Sequence, residues 1–110
     1  MEELRDLIPA NWRVSSAHYA VDDYADLPTV FVSLDSIEPP RRDPGLRDFD
    51  LTRLRRIANW IVKGDRIQPI EVGSPATDTP YQYRIRNGFH RFYLCKALGF
   101  TLIPTVLIDE

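Results

Sequence analysis

Residues 81–109 read YQYRIRNGFHRFYLCKALGFTLIPTVLID, and this run constrains the fold more than any other part of the chain. Tyr81, Tyr83 and Ile85 alternate with Gln82, Arg84 and Arg86, the two-residue period of a strand with one apolar face. Asn87-Gly88 is a hairpin signal on its own. The next stretch, FHRFYLCKALGF, has helical spacing instead, with Tyr93, Leu94, Ala97 and Leu98 on one stripe and Gly99-Phe100 as a glycine C-cap with its apolar contact. The run therefore predicts strand, tight turn, helix and a closing strand over 102–109. Pro104 in that last strand fits best near an end or an edge, because it has no N–H to give to a ladder.

Upstream, TVFVSLDSI (29–37) alternates Val30, Val32 and Leu34 against Ser33 and Asp35 and predicts a half-buried strand. PPRRDPGLRDFD (39–50) breaks regular structure with three prolines and a glycine. Asp50 is placed to cap a helix LTRLRRIANWIVKG, whose Leu51, Leu54, Ile57, Ala58, Ile61 and Val62 form one stripe and which Gly64 ends. IQPIEV (67–72) predicts a further strand, joined to 81–86 by the turn-rich GSPATDTP. The order is strand, helix, strand, strand, helix, strand. That is a small α+β domain over 29–110, a mixed sheet with two main helices, preceded by a leader over 1–28 that carries Trp12, Tyr19 and Tyr24. At 110 residues there is room for one modest core.

The net charge of −2 argues against a protein that coats nucleic acid, yet it hides an uneven distribution. Residues 1–40 carry two arginines against eight carboxylates, a net of −6, while residues 41–96 carry twelve basic side chains against six acidic ones, a net of +6. Such a division implies an anionic ligand, a leader that folds over the basic face, or both. No apolar run approaches the ~20 residues needed to span a bilayer, and MEELRDLIPA lacks the basic-then-apolar pattern of a signal peptide, so a cytoplasmic protein is expected. The one cysteine, Cys95, has no internal disulfide partner, and no Cys/His cluster has metal-ligand spacing.

Chemistry concentrates at the mouth of the second helix. The first amides of a helix have no intrahelical acceptor and lie at its electropositive end, where they favour an anion. Gly88 lets backbone approach closely, while His90 and Arg91 add donors, Arg91 in a fork that suits phosphate oxygens. Asn87, Gly88, Phe89, His90 and Arg91 are thus candidate phosphate-binding residues. The alternatives are a core histidine and a solvated arginine. On the longer helix, Arg53, Arg56, Trp60 and Lys63 oppose the apolar stripe, and a tryptophan among cations marks either a ligand surface, with Arg53 and Arg56 reaching phosphate, or the place where the leader packs.

Together, the strand with Pro69-Ile70-x-Val72, Gly88-x-His90-Arg91 opening a helix, Leu98-Gly99 and Ile103-Pro104 in a last strand resemble the core signature of the ParB and sulfiredoxin superfamily, over roughly residues 29–109. The resemblance implies a small α+β fold whose turn amides, histidine and arginine hold nucleotide phosphates. The superfamily includes CTP-binding partition proteins, ATP-using sulfiredoxins and kinases that phosphorylate free serine. It thereby points to ATP, ADP or CTP, with or without magnesium, as the ligand. Sulfiredoxins carry their reactive cysteine between the Gly and the His, where this chain has Phe89, so sulfinic acid reduction is not expected. Cys95 reads as a small packed residue. Partition proteins continue into a helix-turn-helix reader and a dimerisation domain, whereas this sequence stops at Glu110.

The resulting expectation is a stand-alone domain that binds a nucleotide or phosphate at the Asn87–Arg91 turn, in a regulatory role or with a protein partner. An alternative is a phosphotransferase or nucleotide hydrolase in which Glu38, or second Asp35, takes the hydroxyl proton. A weaker one is a DNA-binding module or a nuclease, which would need Asp43, Asp48 and Asp50 to converge on a metal.

Overall fold

The computed structural model describes residues 8–23, 27–39, 51–75 and 79–108. Asp43, Asp48 and Asp50, including the cap assigned to Asp50, lie outside the described residues, as does Tyr24. Among the described residues the elements run β1 (Val30–Ser33), a 3-10 turn (Leu34–Ser36), β2 (Ile37–Glu38), α1 (Leu51–Lys63), β3 (Ile70–Gly73), β4 (Tyr83–Asn87), α2 (Phe89–Leu98) and β5 (Leu102–Leu107). The five strands form one mixed sheet in the order β1-β5-β3-β4-β2. β1 pairs with β5 and β3 with β4 antiparallel, whereas β3–β5 and β4–β2 are parallel.

The strand expected over 29–37 is two strands at opposite edges of the sheet. Ser33 and Ser36 explain the break. The Ser33 hydroxyl accepts from the Asp35 N–H at 3.2 Å, the Ser36 hydroxyl donates to the Ser33 carbonyl at 2.6 Å, and the Ile37 N–H closes the turn on the Leu34 carbonyl. Serine and aspartate offer the backbone local partners in place of a ladder. The alternation survives the corner, since Leu34 and Ile37 are both buried.

The second expected strand begins at Ile70 rather than Ile67. Ile67 instead makes an isolated parallel bridge to Val21 of the leader. The last strand keeps its place but corrects the expectation for Pro104, because β5 lies inside the sheet between β1 and β3. The ladder to β3 starts at Ile70↔Thr105, one residue beyond the proline, so Pro104 forfeits no β3 bond.

α1 buries Leu54, Ile57, Ala58 and Ile61, the expected stripe, and ends at Gly64 with φ +78°. α2 is more enclosed than its expected stripe implied. It buries His90, Phe92, Leu94, Cys95 and Leu98, and leaves Tyr93 and Ala97 only half-buried, because it lies between α1 and β3. Gly99, at φ +97°, turns the chain, and the Gly99 and Phe100 N–H groups both donate to the Cys95 carbonyl.

Residues of the leader join the same core. Ile8 and Tyr19 are buried in it, and the Trp12 ring meets Phe100 edge-on at 6.3 Å. The Thr101 and Leu102 N–H groups both donate to the Ala17 carbonyl. The described residues of the leader are therefore held by apolar burial and by backbone pairing, to Thr101 and Leu102 at one end and to Ile67 at the other, while Trp60 stays 38% exposed. Among the described residues no helix is long and apolar enough to cross a membrane.

Candidate functional site

The turn into α2 is shaped by the sheet beneath it. Between Glu71↔Asn87 and Val72↔Ile85, β3 advances one residue and β4 two, so β4 carries an extra residue, Arg86, in a bulge. Gly88 then takes φ +107°, and the Phe92 N–H closes the first helical turn on its carbonyl. A Cβ on Gly88 would stand 2.6 Å from Ile70 Cγ2 and 2.9 Å from Ile70 Cβ. The glycine is therefore demanded by contact with a fully buried isoleucine of β3, before any ligand is considered.

Beside this turn lies a cavity of about 550 Å3. α1 contributes Arg53, Arg56, Ile57 and Trp60 to its wall, the turn contributes Asn87, Gly88, Phe89, His90 and Arg91, and the stretch between α1 and β3 contributes Arg66, Ile67 and Gln68. Asp22 of the leader completes it. Arg53, Arg56, Trp60 and the five residues Asn87 to Arg91 thus share one cavity, although β3 and β4 lie between the two groups in the chain. Four of the described lining residues are arginines and one is a carboxylate, an excess of positive charge. Trp60 and Phe89 also line it and are 38% and 40% exposed.

Arg91 does not stand free for phosphate. Its Nη1 donates to the Gln68 carbonyl at 2.8 Å and the Pro69 carbonyl at 3.1 Å. The Tyr19 hydroxyl donates to the same Gln68 carbonyl at 2.7 Å. Arg91 and Tyr19 thereby hold the stretch before β3 in place, where Pro69 cannot donate a ladder bond of its own. Arg91 is thus not the solvated arginine of the alternative, since it does structural work at the cavity wall. Its Nη2 lies on the Gly88 side, 3.0 Å from where a Gly88 Cβ would be.

His90 is 8% exposed and borders both core and cavity, with its ring 4.4 Å from that of Phe89. Cys95 is fully buried further along the same helix, and burial pushes its thiol well above the ordinary cysteine range. Such a thiol is not a nucleophile. Burial likewise raises the Tyr19 phenol, the nearby Cys95 adding to the shift and Arg91 opposing it.

Glu38 is not among the residues that line the cavity. It sits on edge strand β2 opposite Arg84, with its Oε2 buried and unpartnered. Sequence reasoning missed Asp22, Arg66 and Gln68. Arg66 was legible only as part of the basic stretch. Asp22 gave no local signal, since a bridge between Val21 and Ile67 brings it here from 31 residues upstream of Arg53.

No protein-family model matches the chain, and no curated protein matches it in sequence. Solved structures do. A conserved hypothetical protein from Pyrococcus furiosus aligns with 82% of this chain at 25% identity and a TM-score of 0.54. The chain spans about a third of that protein, 34% of its length. A sulfiredoxin from Arabidopsis thaliana aligns over 76% of this chain and 86% of its own, at 21% identity and a TM-score of 0.50.

Proposed function

We propose, from the premise that this chain has a ParB/sulfiredoxin-like fold, that it binds a nucleotide through its phosphates in the cavity between α1 and the turn into α2. The observation that carries the reading is the convergence of Arg53, Arg56, Trp60 and Asn87–Arg91 on one cavity. Arginines supply charge-assisted donors for phosphate oxygens, and the first amides of α2 add the electropositive end of a helix. The part-exposed Trp60 and Phe89 rings in the lining suit an aromatic base. Binding requires nothing more. The phosphotransferase reading loses its candidate base, because Glu38 is outside the lining, and the favoured reading is a binding module that acts through a partner.

The test is calorimetric titration of the full chain with ATP, ADP and CTP, with and without magnesium, followed in parallel by tryptophan fluorescence. Saturable binding is expected, and Arg53→Ala/Arg56→Ala should weaken it by at least about tenfold, the scale of one lost charged hydrogen bond. Absence of binding to all three nucleotides, or equal binding by the double variant, would overturn the proposal.

A further inference from the structure

We propose that Asp22 selects the ligand at this cavity: its carboxylate accepts a hydrogen bond from an amino group on the base, so that amino-bearing nucleotides are preferred over their oxo counterparts. The inference rests on the nucleotide reading above and assigns a role to a leader residue outside the two helices that define the cavity.

Asp22 is placed by backbone, not by chance of a mobile side chain. The Ile67 N–H donates to the Ala20 carbonyl and the Asp22 N–H to the Ile67 carbonyl, both at 2.9 Å. Three residues earlier Tyr19 is buried and tied to Gln68. Residues 19–22 are thus fixed to the same 66–68 stretch that forms one wall of the cavity. The carboxylate is oriented as well, because its Oδ1 accepts the Asp23 N–H at 3.0 Å.

Neutralising Arg53, Arg56 and Arg66 is the plainer role for a carboxylate beside them, but among the described residues no ion pair holds Asp22. Asp22 is exposed, and it is the one carboxylate among the described residues that line the cavity. An ionised carboxylate accepts only, and a guanidinium donates only. A ligand that satisfies both therefore carries an anion for the arginines and an N–H donor for Asp22, and a planar system in addition would meet Trp60 and Phe89. A nucleotide whose base bears an exocyclic amino group has all three. An oxo group at the same position would set acceptor against acceptor, and the N–H of hypoxanthine or uracil lies instead on the neighbouring ring nitrogen, so a site built to pair the exocyclic donor discriminates against both.

The experiment compares ATP with ITP and CTP with UTP on the full chain, then on Asp22→Asn and Asp22→Ala. In the unsubstituted chain ITP and UTP should bind about tenfold more weakly than their amino partners, as expected for one hydrogen bond to a charged group. The amide introduced by Asp22→Asn offers acceptor and donor alike, and the methyl introduced by Asp22→Ala offers neither, so in both variants each ratio should fall to within about twofold. If all four nucleotides bind the unsubstituted chain equally, or if the variants keep the discrimination, the role of Asp22 is refuted while the nucleotide reading stands. If none of the four binds, both fall together.

Discussion

Gly88→Ala tests whether the turn at the cavity is set by the fold or by its ligand. The added methyl meets two penalties. At φ +107° an L-residue sits in a region that costs about 1–2 kcal/mol. Its Cβ would also stand 2.6 Å from Ile70 Cγ2, closer than any real contact, and Ile70 is fully buried and cannot swing aside. Forcing a methyl into a packed core costs about 1–3 kcal/mol. Together these make about 2–5 kcal/mol, a large share of the ~5–15 kcal/mol that stabilises an ordinary domain. With a urea m-value of about 1.5 kcal/mol/M, the unfolding midpoint should fall by about 1.3–3.3 M. Gly64→Ala is the control, because it carries the same kind of positive φ, +78°, with nothing within 4 Å of its Cβ. It should lose only the conformational part, about 1–2 kcal/mol. If the two variants lose equal stability, the Ile70 contact does not dictate the glycine. If Gly88→Ala keeps its midpoint and loses only ligand, the glycine serves the ligand and the packing argument is wrong.

Arg91→Ala should lower stability by about 1–3 kcal/mol in urea unfolding even without ligand, since two charged hydrogen bonds to Gln68 and Pro69 are lost; an unchanged midpoint would return Arg91 to a purely ligand-binding role. Cys95 should resist thiol reagents in the folded chain at pH 8 and react only on unfolding, which a timed thiol-labelling assay reads directly. Burial holds the Cys95 thiol and the Tyr19 phenol protonated in the fold, so above pH ~8.5 the unfolded chain binds fewer protons than the folded one and stability falls with rising pH. That contribution is complete below pH ~8.5 and declines by up to about 1.4 kcal/mol per pH unit for each group once its unfolded form is ionised. Urea midpoints between pH 7 and 10.5 measure the slope, and Cys95→Ala/Tyr19→Phe should flatten it. Removal of residues 1–23 should destabilise the domain strongly and with little dependence on salt, because Ile8 and Tyr19 leave the core; a truncated chain with an unchanged melting temperature would refute this.

The helices were legible because each is written in local terms. The stripe of α1 and its glycine stop, and the strand-turn-glycine passage into α2, follow from spacing within ten or so residues, and the structure returns them nearly residue for residue. The break at Ser33–Ser36 also has a local cause, yet it was hidden because the alternation continues through it. Other features have no local signature at all. That β1 and β2 part to opposite edges, that Pro104 sits in an inner strand and that Arg91 donates to two carbonyls depend on which strands meet. The candidate site divides the same way. Sequence alone marked the donors, because cations and glycine at a helix mouth have a meaning independent of the rest of the chain. Only tertiary structure brought Asp22 into the same lining, through the bridge between Val21 and Ile67, and pairing between residues so far apart is decided by the packing of the whole core.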